Sequence, residues 1–337
     1  MKMKIIWIII IIVIIIGMIL SAVGLATGAS RILYFDRTGL HVSSGEIDHI
    51  TEMDLEQFRS ISVNVGFSDV EFVKSDRFGI DLYGSDMVWI WTLEGGRLNI
   101  THDRINQLHV LNLNIITTGR NYAKIFLPAD TELETVFIRT NSGDIRIGSF
   151  HADNVDVKSS FGDATLDNIT SNHLQVDLSS GNLTGTNIST GRFDFTSRFG
   201  DGRFQSVTAD SFNADSSSGN LRFTGCAFGE FDATNRFGDI IASGFASLKT
   251  NILASSGDVR IAGDLSGETV IDTSFGDVKL TLAKEKNEYS YNISVKFGDI
   301  RFDGDRLKEQ SSFISGAVLE NHLDISSASG DIEVTFG

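Results

Sequence analysis

Residues able to do chemistry recur in this chain at a fixed interval. Gly is followed by Asp or Asn at Gly143, Gly162, Gly181, Gly200, Gly219, Gly238, Gly257 and Gly276, every step being 19 residues, and again at Gly298 and Gly330 after steps of 22 and 32. The side chains so spaced are Asp144, Asp163, Asn182, Asp201, Asn220, Asp239, Asp258, Asp277 and Asp299. If successive units stack, they form a column with a spacing of about 4.8 Å, which admits two chemistries. Stacked carboxylates could ligate Ca²⁺, a cation that takes several oxygen ligands. Alternatively each Asp or Asn hydrogen-bonds its own turn, with Asn182 and Asn220 diluting the repulsion between neighbours. The turn reading is preferred, because the glycine-rich nonapeptide of calcium-binding repeats is missing. A basic column two residues further on, including Arg146, Arg203, Arg222 and Arg260, could contact anionic envelope polymers. More simply, it offsets the adjacent acids on a solvated face.

Other reactive groups do not converge. His41, His49, His102, His109, His151, His173 and His322 form no HxH, HExxH or Cys/His zinc spacing. Ser142, Ser180, Ser218 and Ser256 follow the repeat, and no Gly-x-Ser-x-Gly elbow is present. Acids off the regular pattern lie in the insertions at 283–290 and 303–328, as Glu285, Glu288, Asp303, Asp305 and Glu309. Only there could a carbohydrate-active enzyme place paired carboxylates. The expectation is a non-enzymatic chain with no catalytic, cofactor-binding or metal-ligating residues.

The elements that carry these columns are readable from the same period. Counting each glycine as zero, position two is Ile145, Ala164, Leu183, Gly202, Leu221, Ile240, Val259 and Val278, and position four is mostly large and apolar. Positions twelve and fourteen repeat the pattern, as Val155 and Val157 or Phe193 and Phe195. Period two in both stretches predicts two half-buried strands per unit. A 19-residue unit is too short for a βαβ crossover or a propeller blade and suits one coil of a single-stranded β-solenoid, with a right-handed turn assumed. The residue before the glycine alternates, as Ser142, Phe161, Ser180, Phe199, Ser218, Phe237, Ser256 and Phe275. Inward Phe rings above small Ser neighbours would fill a core column without crowding. The 22- and 32-residue steps read as loops of 3 and 13 residues added to a fixed unit. Cys226, seven residues after Gly219, shares register with Phe150, Ile169, Ile188, Val207 and Phe245, which predicts a buried small hydrophobe.

Composition sets the outer limits. The chain has 337 residues, 28 Lys and Arg against 44 Asp and Glu, a formal charge of −16, and 24 Phe. That balance excludes a nucleic-acid binder, and the apolar content excludes intrinsic disorder. One Cys excludes an intramolecular disulfide framework, and one Pro among 33 Gly points to turns of positive φ. Residues 5–26 carry no charge and as a helix would span about 33 Å, enough for a bilayer. Lys2 and Lys4 place residues 1–4 in the cytoplasm and the rest outside, as a single-pass signal-anchor at the cell membrane. The competing reading is a cleaved signal peptide, with Ala26, Gly28 and Ala29 as small residues near the cut. Residues 27–59 then form a membrane-proximal stalk, with a short helical turn over Met53–Phe58. Residues 60–140 form irregular capping coils, and 141–337 the regular solenoid.

Three segments resemble a known family. They are Phe58-Arg-Ser-Ile-Ser-Val-Asn-Val-Gly-Phe-Ser-Asp-Val-Glu-Phe72, Ile125-Phe-Leu-Pro-Ala-Asp-Thr131, and Val136-Phe-Ile-Arg-Thr-Asn-Ser-Gly-Asp-Ile145 with the Ser-Gly-Asp and Phe-Gly-Asp coils that follow. Together they resemble the bacterial "putative adhesin" family of domains of unknown function, over about residues 58–337. The resemblance implies a membrane-anchored β-solenoid with an extracytoplasmic interaction or regulatory role, since the family includes Lia-type envelope-stress proteins. It supplies no catalytic residues. The partners expected are the membrane, an envelope membrane protein, a surface polymer or the chain itself, and not nucleic acid. Self-association would run end to end if the strand closing at Gly337 left an open edge.

Overall fold

The computed structural model describes residues 14–18, 20, 23, 32–36, 39–42, 47–85, 87–103, 108–112, 121–307, 312–315 and 319–337. Its body is an all-β repeat in which each unit is one long strand. Ile145–Phe161, Ala164–Ser180, Leu183–Phe199 and Gly202–Ser218 are each 17 residues long. Each pairs in parallel with the next in constant register, so that Ile147 meets Leu166, Leu166 meets Gly185 and Gly185 meets Phe204.

The two short strands expected per unit are therefore a single bent ladder. In the unit from Leu183 the buried positions are Leu183, Gly185, Ile188, Thr190, Phe193, Phe195 and Ser197. Alternation slips between Gly185 and Ile188 and again between Thr190 and Phe193, which divides the coil into three inward faces. The first slip occurs at position six, where Ser149, Asn168, Asn187 and Ser206 adopt φ of 52° to 62° and Gly225 and Gly244 take φ of 61° and 58°. Gly and Asn tolerate this left-handed conformation, so those residue types follow from the bend, and Ser149 and Ser206 adopt it as well. The middle face pairs an apolar position seven, as in Phe150, Ile169 and Ile188, with a position nine that is mostly small, as in Ala152, Ser171, Thr190 and Ala209, so it lacks the two apolar residues in alternation that mark the other faces.

The third bend is the glycine corner. Gly143, Gly162, Gly181, Gly200, Gly219, Gly238, Gly257 and Gly276 have φ between 129° and 155°. From Gly162 onward, a Cβ at any of them would collide with the carbonyl oxygen of the glycine one level below. Glycine is fixed here by both the dihedral and the approach of the neighbouring backbone.

The core is continuous along the stack and rich in phenylalanine at its centre. Phe193, Phe195, Phe204, Phe212, Phe223, Phe231 and Phe245 are buried. Phe204 stacks on Phe223 at 5.0 Å and meets Phe212 edge-on at 4.9 Å. Room for these rings comes from Gly185 and Gly202, which occupy inward positions; a Cβ on Gly202 would lie 2.9 Å from both Phe195 and Phe204. Cys226 is buried, with Sγ directed at the carbonyls of Phe204 and Thr224, and burial pushes its thiol pKa up.

Both ends close by running out of sequence order. Asn321–Ser329 inserts between Val259–Phe275 and Tyr289–Phe297, and Ile332–Phe336 inserts between Val278–Leu282 and Ile300–Phe302. The longer final intervals carry inserted pieces, as the steps of 22 and 32 imply, but the units do not keep sequence order, because the last one is laid inside the one before it. Because the C-terminal strand is internal, it is not the open edge anticipated from the sequence. The outer strands are covered by antiparallel pieces of the insertion, Asp305–Leu307 and Ser312–Ile314. At the other end, Ser60–Val65 lies between Arg97–Asp103 and Thr131–Ser142, and Asp69–Ser75 lies between Tyr122–Pro128 and Ile145–Phe161. Antiparallel strands Gly79–Ser85 and Val88–Glu94 flank this cap. Such covering removes the free strand edges that invite aggregation.

Residues 47–59 differ from the stalk expected there. Ile47–Met53 is a strand on the antiparallel edge of the cap, and no helical turn forms over Met53–Phe58. Ile32–Asp36, Gly39–Val42 and Leu108–Asn112 form a small separate sheet. The tail at 1–4 lies outside the described residues, as does most of the span at 5–26; residues 14–18, 20 and 23 are helical and exposed. Among the described residues no helix is long and apolar enough to cross a membrane.

The glycine column gives a direct test. Gly200→Ala should lower the unfolding free energy by about 3 kcal/mol or more in urea denaturation, since it combines backbone strain with a main-chain collision. Gly95→Ala, at φ 57° with open space around it, should cost only about 1 kcal/mol.

Candidate functional site

The column of residues preceding the glycines does not face the core. Phe161, Phe199, Phe237, Phe275 and Phe297 are 61–67% exposed. This overturns the inward packing expected from the Ser/Phe alternation. Strict alternation would bury these positions, because Phe195 and Ser197 point inward and Phe199 has the same parity. The glycine corner breaks the phase, so Arg198 and Phe199 both face solvent.

In space the alternation is unbroken over the length of the stack. Ser142 pairs with Phe161, Phe161 with Ser180 and Ser180 with Phe199, and Ser218, Phe237, Ser256 and Phe275 continue the series. Phe275 then meets Ser329, and Ser329 meets Phe297. Sequence order alone would have set Phe275 beside Phe297. At the other end Thr140 pairs with Val65, and the same offset puts Phe67, 44% exposed, one level below Ser142. The result is a continuous ridge of phenylalanines separated by serines. Levels lie about 4.8 Å apart, so successive rings are about 10 Å apart. Arg198, Arg236 and Lys296 flank the ridge at the levels of Phe199, Phe237 and Phe297.

Beside the ridge runs the Asp/Asn column. The N–H of Asp163 donates to Oδ1 of Asp144, that of Asn182 to Asp163, and so on through Asp201, Asn220, Asp239, Asp258 and Asp277, at 2.8–3.1 Å. Asp69, Asp331 and Asp299 extend the ladder to both ends. Each side chain therefore caps the amide of the next coil, not of its own turn as expected. One acceptor per corner satisfies a donor that the bent backbone would otherwise leave unpaired.

The basic column closes on this ladder. Arg146 meets Asp144 at 3.0 Å, Arg203 meets Asp201 at 2.6 Å, and Arg222 reaches Asp201 at 3.4 Å. Arg260 pairs with Asp258, and Lys279 bonds Glu333 at 3.0 Å. With one oxygen on an amide and the other on a cation, these carboxylates are organised as structural acceptors. Among the described residues no group of three or more His, Cys, Asp or Glu is placed to hold a metal ion.

A second polar cluster lies on another face. Asp194 accepts from Arg192 Nε at 2.7 Å and Nη2 at 2.9 Å, from Asn213 Nδ2 at 2.9 Å, and faces His173 Nε2 at 2.8 Å. Partial burial opposes ionisation, but the hydrogen bonds from Arg192, His173 and Asn213 outweigh it and hold Asp194 at about 2. The other histidines are dispersed: His49 pairs with Asp81, His102 accepts from the Gly66 amide, and His322 contacts Ser290. His41 and His109 belong to the small separate sheet.

The acids of the insertions do not converge. Glu285 and Glu288 cap a short 3₁₀ turn, Asp303 meets Lys286 at 3.6 Å, and Glu309 lies outside the described residues. An open groove of about 500 Å³, lined by Arg59, Glu132, Glu134, His151, Asp153 and Asn172, sits at the corner formed by positions eight to ten, away from the ridge. Its Glu134 pairs loosely with Arg59 at 3.9 Å.

The Toastrack DUF4097 pattern matches residues 58–201 and again 172–335. The chain belongs to the Toastrack DUF4097 family. Its repeats thus carry two overlapping copies of the family pattern. Among solved structures the chain aligns with a "putative adhesin" from Bacteroides fragilis NCTC 9343 at 15% identity and TM-score 0.45, covering 71% of this chain and 98% of that one. It aligns with a "putative lipid binding protein" from Parabacteroides distasonis ATCC 8503 at 16% identity and TM-score 0.33, covering 71% and 95%. A "putative adhesin" from the same species aligns at 9% identity and TM-score 0.34, covering 86% and 98%. No curated protein matches.

Two stability measurements check the polar columns. Asp163→Asn should melt like wild type, because an amide oxygen serves the ladder at Asn182 and Asn220, whereas Asp163→Ala should cost about 1–2 kcal/mol. Asp194 has a depressed folded pKa, so its contribution is complete above about pH 4 and is lost as pH falls through about 2. The stability gap between wild type and Asp194→Asn should be about 2 kcal/mol at neutral pH and should shrink over that acid window.

Proposed function

We propose that this is a non-enzymatic, extracytoplasmic contact protein, held at the cell membrane by its N-terminal apolar segment and acting in adhesion through the phenylalanine ridge. The observation that carries the reading is the ridge itself. Phe161, Phe199, Phe237, Phe275 and Phe297 stand 61–67% exposed along one face, and none of the five is among the side chains buried in the core or packed against it. Exposed apolar surface of this extent marks an interaction site. A stack of coils is suited to the task, because it holds many copies of one side chain in fixed spacing along a rigid face.

The anchor is argued from the uncharged run at 5–26 and the lysines before it, which direct the acidic body outward. Right-handed coiling is the sense assigned to the solenoid. The dispersed acids and histidines favour binding over catalysis. An envelope-stress role is compatible with the same architecture, with the ridge then meeting a membrane sensor instead of a surface.

The test compares cells displaying the full chain with cells displaying a variant in which Phe161, Phe199, Phe237 and Phe275 are all changed to Ser. A C-terminal epitope should be reached from outside intact cells in both, and retention of the variant cells under flow should fall several-fold. An inaccessible epitope would reject the topology, and equal retention would reject the ridge as the adhesive surface.

A further inference from the structure

We propose that the ridge is a self-complementary zipper that pairs two copies of this chain side by side and antiparallel. The proposal rests on the preceding reading of the ridge as the contact surface and names the partner that fills it. Each serine level leaves a gap between two rings that stand about 10 Å apart. A ring from a second ridge, entering that gap, would stand about 5 Å from the ring on either side. That is within the range of about 4.5–7 Å that aromatic pairs prefer. Two ridges offset by one level thus merge into one continuous row of rings.

The symmetry follows from the period. A parallel two-fold pair would set each level against its own copy, Phe against Phe, and leave the gaps empty. An antiparallel pair with its axis between two levels sets every Phe against a Ser. Ser218 then lies opposite Phe199 or Phe237 of the partner, and the contact is closed, as a two-fold interface requires. The same half-step keeps the cations apart, because Arg198 and Arg236 accompany Phe levels while Ser179 and Ser217 accompany Ser levels.

The area is adequate. Five phenylalanines at 61–67% exposure offer about 600 Å² per chain. Burying both ridges approaches the roughly 1,200–2,000 Å² of a stable protein–protein contact. A polar ligand is less well served, since Phe lacks the hydroxyl or indole N–H that would orient it. The out-of-order final unit also supports the assignment: by placing Ser329 between Phe275 and Phe297, it keeps the gap that a partner ring needs. Antiparallel pairing suits chains that rise from two facing membranes, each proximal end meeting the other's distal end.

Full-length chain is reconstituted into two populations of phosphatidylcholine vesicles carrying different dyes, with co-flotation confirming incorporation, and joint pelleting reports tethering. Wild type should tether the populations, and Phe199→Ser with Phe237→Ser should reduce tethering at least tenfold. The decisive variant fills the gaps, with Ser180, Ser218 and Ser256 all changed to Phe. It is more apolar than wild type, yet it too should lose tethering at least tenfold, with an unchanged circular-dichroism melt for each variant. No tethering by incorporated wild type, or equal or stronger tethering by the gap-filled variant, would overturn the zipper. If the chain does not co-float, the anchor reading fails; sedimentation of the same chain then decides the pairing, and a monomer at all concentrations would overturn it. Loss of cell retention without vesicle tethering would reject the second copy as partner and leave the adhesive ridge standing.

Discussion

Everything in this molecule depends on one close approach: the glycine corner of each coil resting on the carbonyl of the coil below. The contact admits no side chain and requires a left-handed φ, so it restores the 19-residue register at every corner, even across the level where Ile240–Ser256 and Val259–Phe275 shift register between Ser243 and Lys249. Once that register is fixed, every other column is determined. Asp/Asn side chains fall within reach of the amide one level up, arginines fall beside the acids, and core rings meet glycines or rings of suitable size. Because the parallel ladder repeats identical geometry, a side chain chosen at one position is displayed again about 4.8 Å away. The fold converts a sequence period into a spatial one.

Much of this was legible in the sequence because the period is strict. The 19-residue step gives the coil length, positions two, four, twelve and fourteen give two of the three inward faces, and Cys226 is placed by register alone. The middle face shows only its position-seven column, the one that holds Cys226, because position nine is mostly small, as in Ala152 and Thr190, and gives no period-two apolar pair. Asn168, Asn187 and Gly225 marked the bend that separates it, and their shared tolerance of positive φ is the clue that could have revealed it.

The phenylalanine ridge departs from the sequence expectation for a different reason. Hydrophobicity and parity both argued for burial of Phe199 and its equivalents, and the corner reverses parity over two residues. Chain order at the C-terminal end also departs from the linear reading, since nothing in steps of 22 and 32 residues states that a strand will insert between its predecessors. A signal was nevertheless present. Phe275 followed by Phe297 breaks the Ser/Phe rule in sequence, and only by laying Ser329 between them is the rule restored in space. Its restoration at a point where topology had to change argues that the alternation itself is what the ridge requires.

The most direct test of the ridge as the contact surface is site-specific photo-crosslinking in the native membrane. A photoreactive phenylalanine analogue is placed at Phe237 on the ridge or at Asp210, exposed at a different corner of the coil. The account predicts discrete covalent adducts from position 237 and none from position 210. Adducts from 210 with none from 237 would contradict it.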